Sequence, residues 1–364
     1  MKNKLILLFL IMATLAGCGN SANQGQVVEE TTNQVTDSAN TASNNLNETS
    51  NDSESSADET TVEEETPKTQ ADKDTKTTAD PKTITVTTTF IEDMVHQLIG
   101  TDKANIELII PAGEDPHIYV PKPEDFKKLT EADLVLYHGI HFEGKMVDAL
   151  EGVGYAVTET FNKNDIGEME DQGNDSTMVE DPHFWFDLDL YAEAFTNAAN
   201  KLKELYADDS QMLALIDENH DRYLKELKDL DKYNRERIAE IPEGQKYLIT
   251  PHDAFNYFSR RYDITVMAPQ GVTTDSEVAN KDLEDTAQFI ADKKIKAIFA
   301  ESTTNPERME KLKDIVKSKG FETEVISGHG RELLSDSLAD PGEAGDNFID
   351  MYKHNVDLIV DNLK

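Results

Sequence analysis

The chain has 364 residues, of which 72 are Asp or Glu and 35 are Lys or Arg, a net charge of −37. An acidic excess of that size excludes nucleic acid and anionic lipid headgroups as partner surfaces, because both would repel it. With a single cysteine no intrachain disulfide can form, so the fold must stand on its hydrophobic core.

The chain opens on Lys2-Asn3-Lys4, an apolar run from Leu5 to Met12, and then Leu15-Ala16-Gly17-Cys18. A charged start, a short apolar stretch and small residues before a cut point read as a secretory signal, too short for a lasting transmembrane helix. Cysteine directly after Leu-Ala-Gly resembles a bacterial lipoprotein signal. That resemblance implies removal of residues 1–17, lipidation of Cys18 and retention on the extracytoplasmic face of the cell membrane. An ordinary cleaved signal with an incidental cysteine is the alternative. From Gly19 to about Pro81 the sequence is Asn, Ser, Thr, Asp and Glu with almost no large apolar residue. Such a stretch cannot bury enough surface to offset its ordering entropy, so residues 18–81 are expected to form a disordered acidic tether. As a random coil it would reach roughly 40 to 50 Å.

From Lys82 the composition turns globular, and about 280 residues suffice for two lobes around one ligand. Thr83 to Thr89 alternates β-branched residues and reads as a strand, with a helical pattern beginning at Phe90. Ile106–Ile110 reads as a second strand, Pro123–Thr130 as a short helix and Asp133–Tyr137 as a third strand. This alternation predicts a parallel sheet covered by helices. Between about Leu190 and Ala239 the residues Tyr223, Leu227, Leu230 and Ile238 recur at helical spacing, with no proline before Pro242. The expectation is one long helix in the region 190–242, a stiff connection between an N-terminal lobe (82–189) and a C-terminal lobe (243–364). Strands then resume at Lys246–Ile249, Ile264–Met267, Ala297–Ala300 and Thr323–Ile326.

The chemistry follows these segments. Pro111-Ala-Gly-Glu-Asp-Pro-His117 comes after the second strand, and Thr250-Pro251-His252 after the strand ending at Ile249. Asp181-Pro182-His183 stands between them, and Ser335-Asp336-Ser337 near the end. In open α/β sheets the loops at the carboxyl ends of strands form the ligand crevice. Each proline stiffens its loop, which suits an imidazole held in place without its ligand. His117, His183 and His252 stand 66 and 69 residues apart, with Asp336 a further 84 along. These are not zinc-finger spacings, so only a preformed fold could bring the four together. Any one of these histidines alone reads first as a hydrogen-bonded loop residue; the shared proline-bearing context is what groups them as a set.

On these motifs, with Leu134 to Gly144, His252 to Phe258, Phe299-Ala-Glu-Ser302 and Ser335 to Leu338, the chain from Lys82 to Lys364 resembles the solute-binding lipoproteins of ABC importers for zinc and manganese. The resemblance implies two α/β lobes, each a mainly parallel sheet with flanking helices, joined by one long rigid helix with the metal in the cleft. It implies His117, His183, His252 and Asp336 as ligands of one Mn²⁺ or Zn²⁺ ion. The implied partners are an ABC permease and its ATPase subunit, with the membrane reached through the lipid anchor, no nucleic acid bound, and the chain a monomer.

Imidazole donors suit transition metals over Mg²⁺ and Ca²⁺, while the Irving–Williams order favours Zn²⁺ at any flexible site. Many manganese-specific members have Glu in place of His252, which favours zinc. Many zinc members carry a His-rich loop between the first two ligands, whereas Asn162 to Glu180 here is acidic without histidine, which favours manganese. Gln270 to Glu277 and Ser335 to Leu338 resemble the three-His, one-Asp branch, and the balance leans to manganese, with a zinc-specific member as the alternative. Glu301 is a candidate acceptor behind a ligand imidazole. His138 and His141 are expected to make structural hydrogen bonds, and His96, His220 and His354 to lie on the surface. An enzyme is not expected: His-Glu-x-x-His, a nucleophile elbow and a phosphate-cradling loop are all absent. A zinc-dependent hydrolase would show an open metal position with a base beside it, and a surface adhesin an exposed apolar patch.

Overall fold

The computed structural model describes residues 81–170, 178–275 and 277–364. The expected signal peptide, Cys18 and all of the expected tether except Pro81 lie outside them. The first lobe runs β1 (Thr83–Val86), α1 (Thr89–Ile99), β2 (Asn105–Leu108), α2 (Pro123–Glu131), β3 (Leu134–Tyr137), α3 (Val147–Glu151) and β4 (Tyr155–Ala156). Its sheet is parallel throughout, in the order β2-β1-β3-β4. Central β1 is covered on both faces, as parallel strands are. Ile84 and Val86 sit in the core, while Thr85 on the other face donates its hydroxyl to the Lys128 carbonyl at 2.9 Å.

An antiparallel hairpin, β5 (Gly167–Glu170) with β6 (Met178–Asp181), follows in register Gly167↔Asp181. Nothing in its acidic sequence announces it, since its large apolar residues are only Met169, Met178 and Val179, of which Met169 and Val179 face each other. The hairpin matters because it delivers Asp181-Pro182-His183.

The region expected as one long helix is two: α4 (Leu188–Leu205) and α5 (Ser210–Ile238), packed against each other. The division is local. Asp209 turns its carboxylate back onto the amides of Gln211 and Met212, both at 3.0 Å, capping a new N-terminus. Its 29 residues make α5 the long element, about 43 Å at 1.5 Å per residue. Met212, Ile216, Tyr223, Leu227, Leu230 and Ile238 form its buried stripe, and i,i+4 ion pairs such as Arg222–Glu226 and Lys225–Asp229 lie along its exposed side.

The second lobe runs β7 (Tyr247–Ile249), α6 (Asn256–Tyr262), β8 (Thr265–Met267), α7 (Asn280–Lys293), β9 (Ala297–Phe299), α8 (Glu307–Ser318), β10 (Glu324–Ile326) and α9 (Phe348–Leu363). β7 pairs with β8 and β9 with β10, both parallel, and β7 lies beside β9. One continuous core joins Ile84 and Phe90 of the first lobe to Trp185, Leu227, Phe255 and Tyr352. At roughly 1.5–3 kcal/mol per buried large side chain, this shared core ties the lobes together.

Candidate metal centre

Each expected ligand sits where a strand or hairpin ends. His117 follows β2, with its backbone amide on the Asp115 carboxylate at 3.0 Å. His183 leaves β6, and its backbone amide bonds the Asp181 carboxylate at 3.0 Å. His252 follows β7, where the Thr250 hydroxyl holds its carbonyl at 2.9 Å and a bridge to Gln270 extends the β7–β8 pairing. Asp336 lies beyond β10, just after the bridge Glu301↔Leu333 that prolongs β9.

The structure brings all four together. One donor atom from each of His117, His183, His252 and Asp336 falls within a 4.8 Å circle of mutual distances. The Nε2 atom of His183 is 3.4 Å from Nε2 of His117, 3.4 Å from Nε2 of His252 and 3.3 Å from Asp336, and His252 Nε2 is 3.2 Å from Asp336. A tetrahedron with roughly 2.0–2.1 Å metal bonds has edges of about 3.3 Å; these four gaps are of that size, the two to Asp336 ending on its two different oxygens, and all four donor groups lie within 4.8 Å of one another. His117 keeps 5% of its surface accessible and the other three none. A cavity of about 600 Å³ bounded by His117, His141, Met178 and Pro182 opens over that edge.

Carboxylates behind the imidazoles fix which nitrogen faces inward. Asp181 accepts from His183 Nδ1 at 2.7 Å, and Glu301 accepts from His252 Nδ1. With Nδ1 engaged, each ring turns its Nε2 toward the centre. Glu301, the candidate acceptor, is buried with one carboxylate oxygen on the His252 ring. Asp181 is the residue the sequence reading passed over, although Asp-Pro-His was itself the signal. Asp181 is anchored in turn by Asn256 Nδ2 at 3.1 Å and, through its carbonyl, by the Tyr257 hydroxyl at 2.9 Å.

Protonation follows this wiring. Burial presses the His183 pKa down, but Asp181 and Asp336 outweigh it and hold the group at about 9. His252 is likewise opposed by burial and carried well above the ordinary imidazole range by Glu301 and Asp336. Burial pushes Asp336 up, yet His252 and His183 keep it well below the usual carboxylate range. His117 is lowered to about 3 by burial, with Asp336 opposing. The metal-free centre is therefore a carboxylate facing imidazolium groups, with His117 neutral and outermost.

Other histidines stand apart from the cluster. His138 is buried with Nε2 at 2.7 Å from the Thr88 hydroxyl, the structural role expected of it. His141 is exposed at the cavity mouth. His96, His220 and His354 lie at the surface as expected, each partly exposed. His220 stacks on Phe195 and meets the Thr196 hydroxyl at 2.9 Å, and His354 Nε2 bonds the Glu332 carbonyl at 2.9 Å.

Two α/β lobes with a common core, closed on a buried three-His, one-Asp centre, define a metal-binding protein of the solute-binding class. The chain belongs to the ZnuA family, described as zinc-uptake complex component A, periplasmic, which it matches over residues 84–362. That is a family of transport binding proteins, not of enzymes. Among relatives, the manganese-binding lipoprotein MntA of Bacillus subtilis is 32% identical over 286 residues, covering 77% of this chain and 89% of MntA. The zinc-binding protein TroA of Treponema pallidum is 33% identical over 288 residues, covering 78% of this chain and 89% of TroA. A solved TroA structure reported for its metal-binding specificity superposes with a TM-score of 0.75 at 53% identity, covering 78% of this chain and all of that one.

Proposed function

We propose that this chain captures one divalent transition-metal ion outside the cytoplasm, manganese ahead of zinc, and delivers it to an ABC permease for import. The observation that carries the reading is the convergence of His117, His183, His252 and Asp336, drawn from four separate loops, onto one buried point. Three neutral imidazoles and one carboxylate leave a divalent ion near +1, which disfavours Na⁺ and K⁺ by charge and Mg²⁺ and Ca²⁺ by donor type. His117, the one ligand with accessible surface, is the first to meet the ion, and its neutral ring is ready to bind. The relative named for manganese supports manganese, as does the histidine-free stretch preceding His183. The relative named for zinc and the imidazole-rich donor set make zinc the second reading.

In this reading the lobes are 82–189 and 243–364, Cys18 carries the lipid, the chain acts as a monomer on the outer face of the cell membrane, and a separate ATPase subunit drives transport. Radiolabelled Mn²⁺ and Zn²⁺ uptake in cells lacking the chain, and in cells carrying it or its Asp336→Ala variant, tests the proposal. Uptake of one metal restored by the parent and not by the variant is expected; restoration of neither metal would sink it.

A further inference from the structure

Helix α6 of the second lobe reaches back to the hairpin that delivers Asp181 and His183. The Tyr257 hydroxyl accepts the Gly167 amide at 2.8 Å and donates to the Asp181 carbonyl at 2.9 Å, which fastens the hairpin backbone. Its neighbour Asn256 holds side chains instead. The Asn256 Nδ2 amino group faces three acceptors: Asp181 Oδ2 at 3.1 Å, the Asp253 carbonyl at 3.0 Å and the Met169 sulfur at 2.6 Å. An amide nitrogen has two protons, so three acceptors compete for them. The thioether sulfur is the weakest of the three, and the carboxylate keeps its share.

That share matters to the metal centre. Asp181 is fully buried; its Oδ1 takes both the backbone amide and Nδ1 of His183, and among the described residues Asn256 is the partner of its Oδ2. Without Asn256 the second oxygen is left buried with no donor, and the carboxylate's hold on the His183 ring loosens. Met169 is half-buried, so a small solute reaches it. The other methionines of the described residues are buried, except Met178 on the same hairpin and Met267. Of these three accessible sulfurs, Met169 is the one that touches a group supporting a proposed ligand.

We propose that Met169 is an oxidation site that lowers metal affinity: its sulfoxide oxygen draws Asn256 away from Asp181 and so loosens His183. This rests on the metal centre described above. The oxidant is hydrogen peroxide. A sulfur lone pair attacks one peroxide oxygen, the O–O bond breaks, and a new S–O bond gives the sulfoxide. The other oxygen leaves as water with both protons; sulfur gives up two electrons and the peroxide takes them. The product is polar where the thioether was apolar, and its oxygen is the stronger acceptor for Asn256. Tyr257 still holds the hairpin backbone, so the change falls on the carboxylate and not on the fold. Methionine sulfoxide reductases reverse the step.

The test uses the full-length chain, treated with hydrogen peroxide until peptide mass spectrometry shows an added oxygen on Met169. Mn²⁺ and Zn²⁺ affinities are read by Trp185 fluorescence before and after treatment. Binding should weaken about tenfold in the parent and in Met178→Leu, and recover on reduction by methionine sulfoxide reductase. Met169→Leu keeps the volume without the sulfur; it should bind within about twofold of the untreated parent and lose nothing on treatment. Asn256→Ala should start weakened and lose nothing further, which a general loosening of the fold would not produce. An equal loss in Met169→Leu or in Asn256→Ala, unchanged affinity with Met169 oxidised, or a Met169 that stays reduced while Met178 is oxidised would each overturn the proposal. If the untreated parent bound neither metal, the assignment of the centre would fall instead, and the two failures are thereby distinguished.

Discussion

At the scale of single residues the centre is a set of charges balanced by burial, and its proton linkage has a definite sign. His183 is raised to about 9 in the metal-free centre against about 6.5 for a free imidazole. Its contribution to apo stability is therefore fully present below about pH 6.5 and is lost as pH rises through about 9. A metal ion must displace the same protons, so affinity is expected to climb with pH up to about 9. Binding near pH 7 should release protons, measurable by calorimetry in buffers of different ionisation enthalpy; zero release would contradict the wiring described. Asp181→Asn and Glu301→Gln keep the shape while weakening the hold on Nδ1, and each should cost about 10–100-fold in metal affinity by direct titration. Gly144 sits at φ +42°, and a Cβ there would lie 2.1 Å from the His117 carbonyl oxygen. Gly144→Ala should accordingly push His117 off the centre and weaken binding, and unaltered affinity would show that loop to be more yielding than its geometry implies.

At the scale of elements, the parallel strands were legible because β-branched alternation survives in Thr83–Val86 and a short, fully buried apolar run in Ala297–Phe299. Three of the four proposed ligands were legible as proline-bearing histidine loops, and Asp336 came through the family resemblance. The α4–α5 break was not legible, because apolar periodicity runs on either side of a turn whose marker is one capping aspartate, Asp209. The hairpin stayed hidden because its facing apolar pair is outnumbered by glutamates, and Asp181 with it, since only the fold shows that carboxylate curling onto the ring two residues ahead. Helix α5 carries a further prediction. Leu227 is 3% exposed within the core shared by the lobes, and Leu227→Ala should destabilise the protein by about 2–5 kcal/mol in denaturant unfolding. A loss below about 1 kcal/mol would mean the stripe is not carrying that core.

For the whole molecule, one core runs through both lobes, so loading and release are expected to move loops and shift the lobes slightly, not to swing them apart. Since the ion binds the folded state alone, metal at about a thousand times its Kd should add about 4 kcal/mol of stability, and a chelator should remove it, as a fall in melting temperature. The most direct test of the account uses Trp185, the single tryptophan, fully buried with its ring 5.3 Å from that of His183. Titrating Mn²⁺ and Zn²⁺ into the metal-free parent and into His183→Ala should give a saturable change at one ion per chain in the parent, and weakening of at least about a hundredfold in the variant. Equal binding by parent and variant, or no response of Trp185 to either metal, would contradict the assignment of this centre.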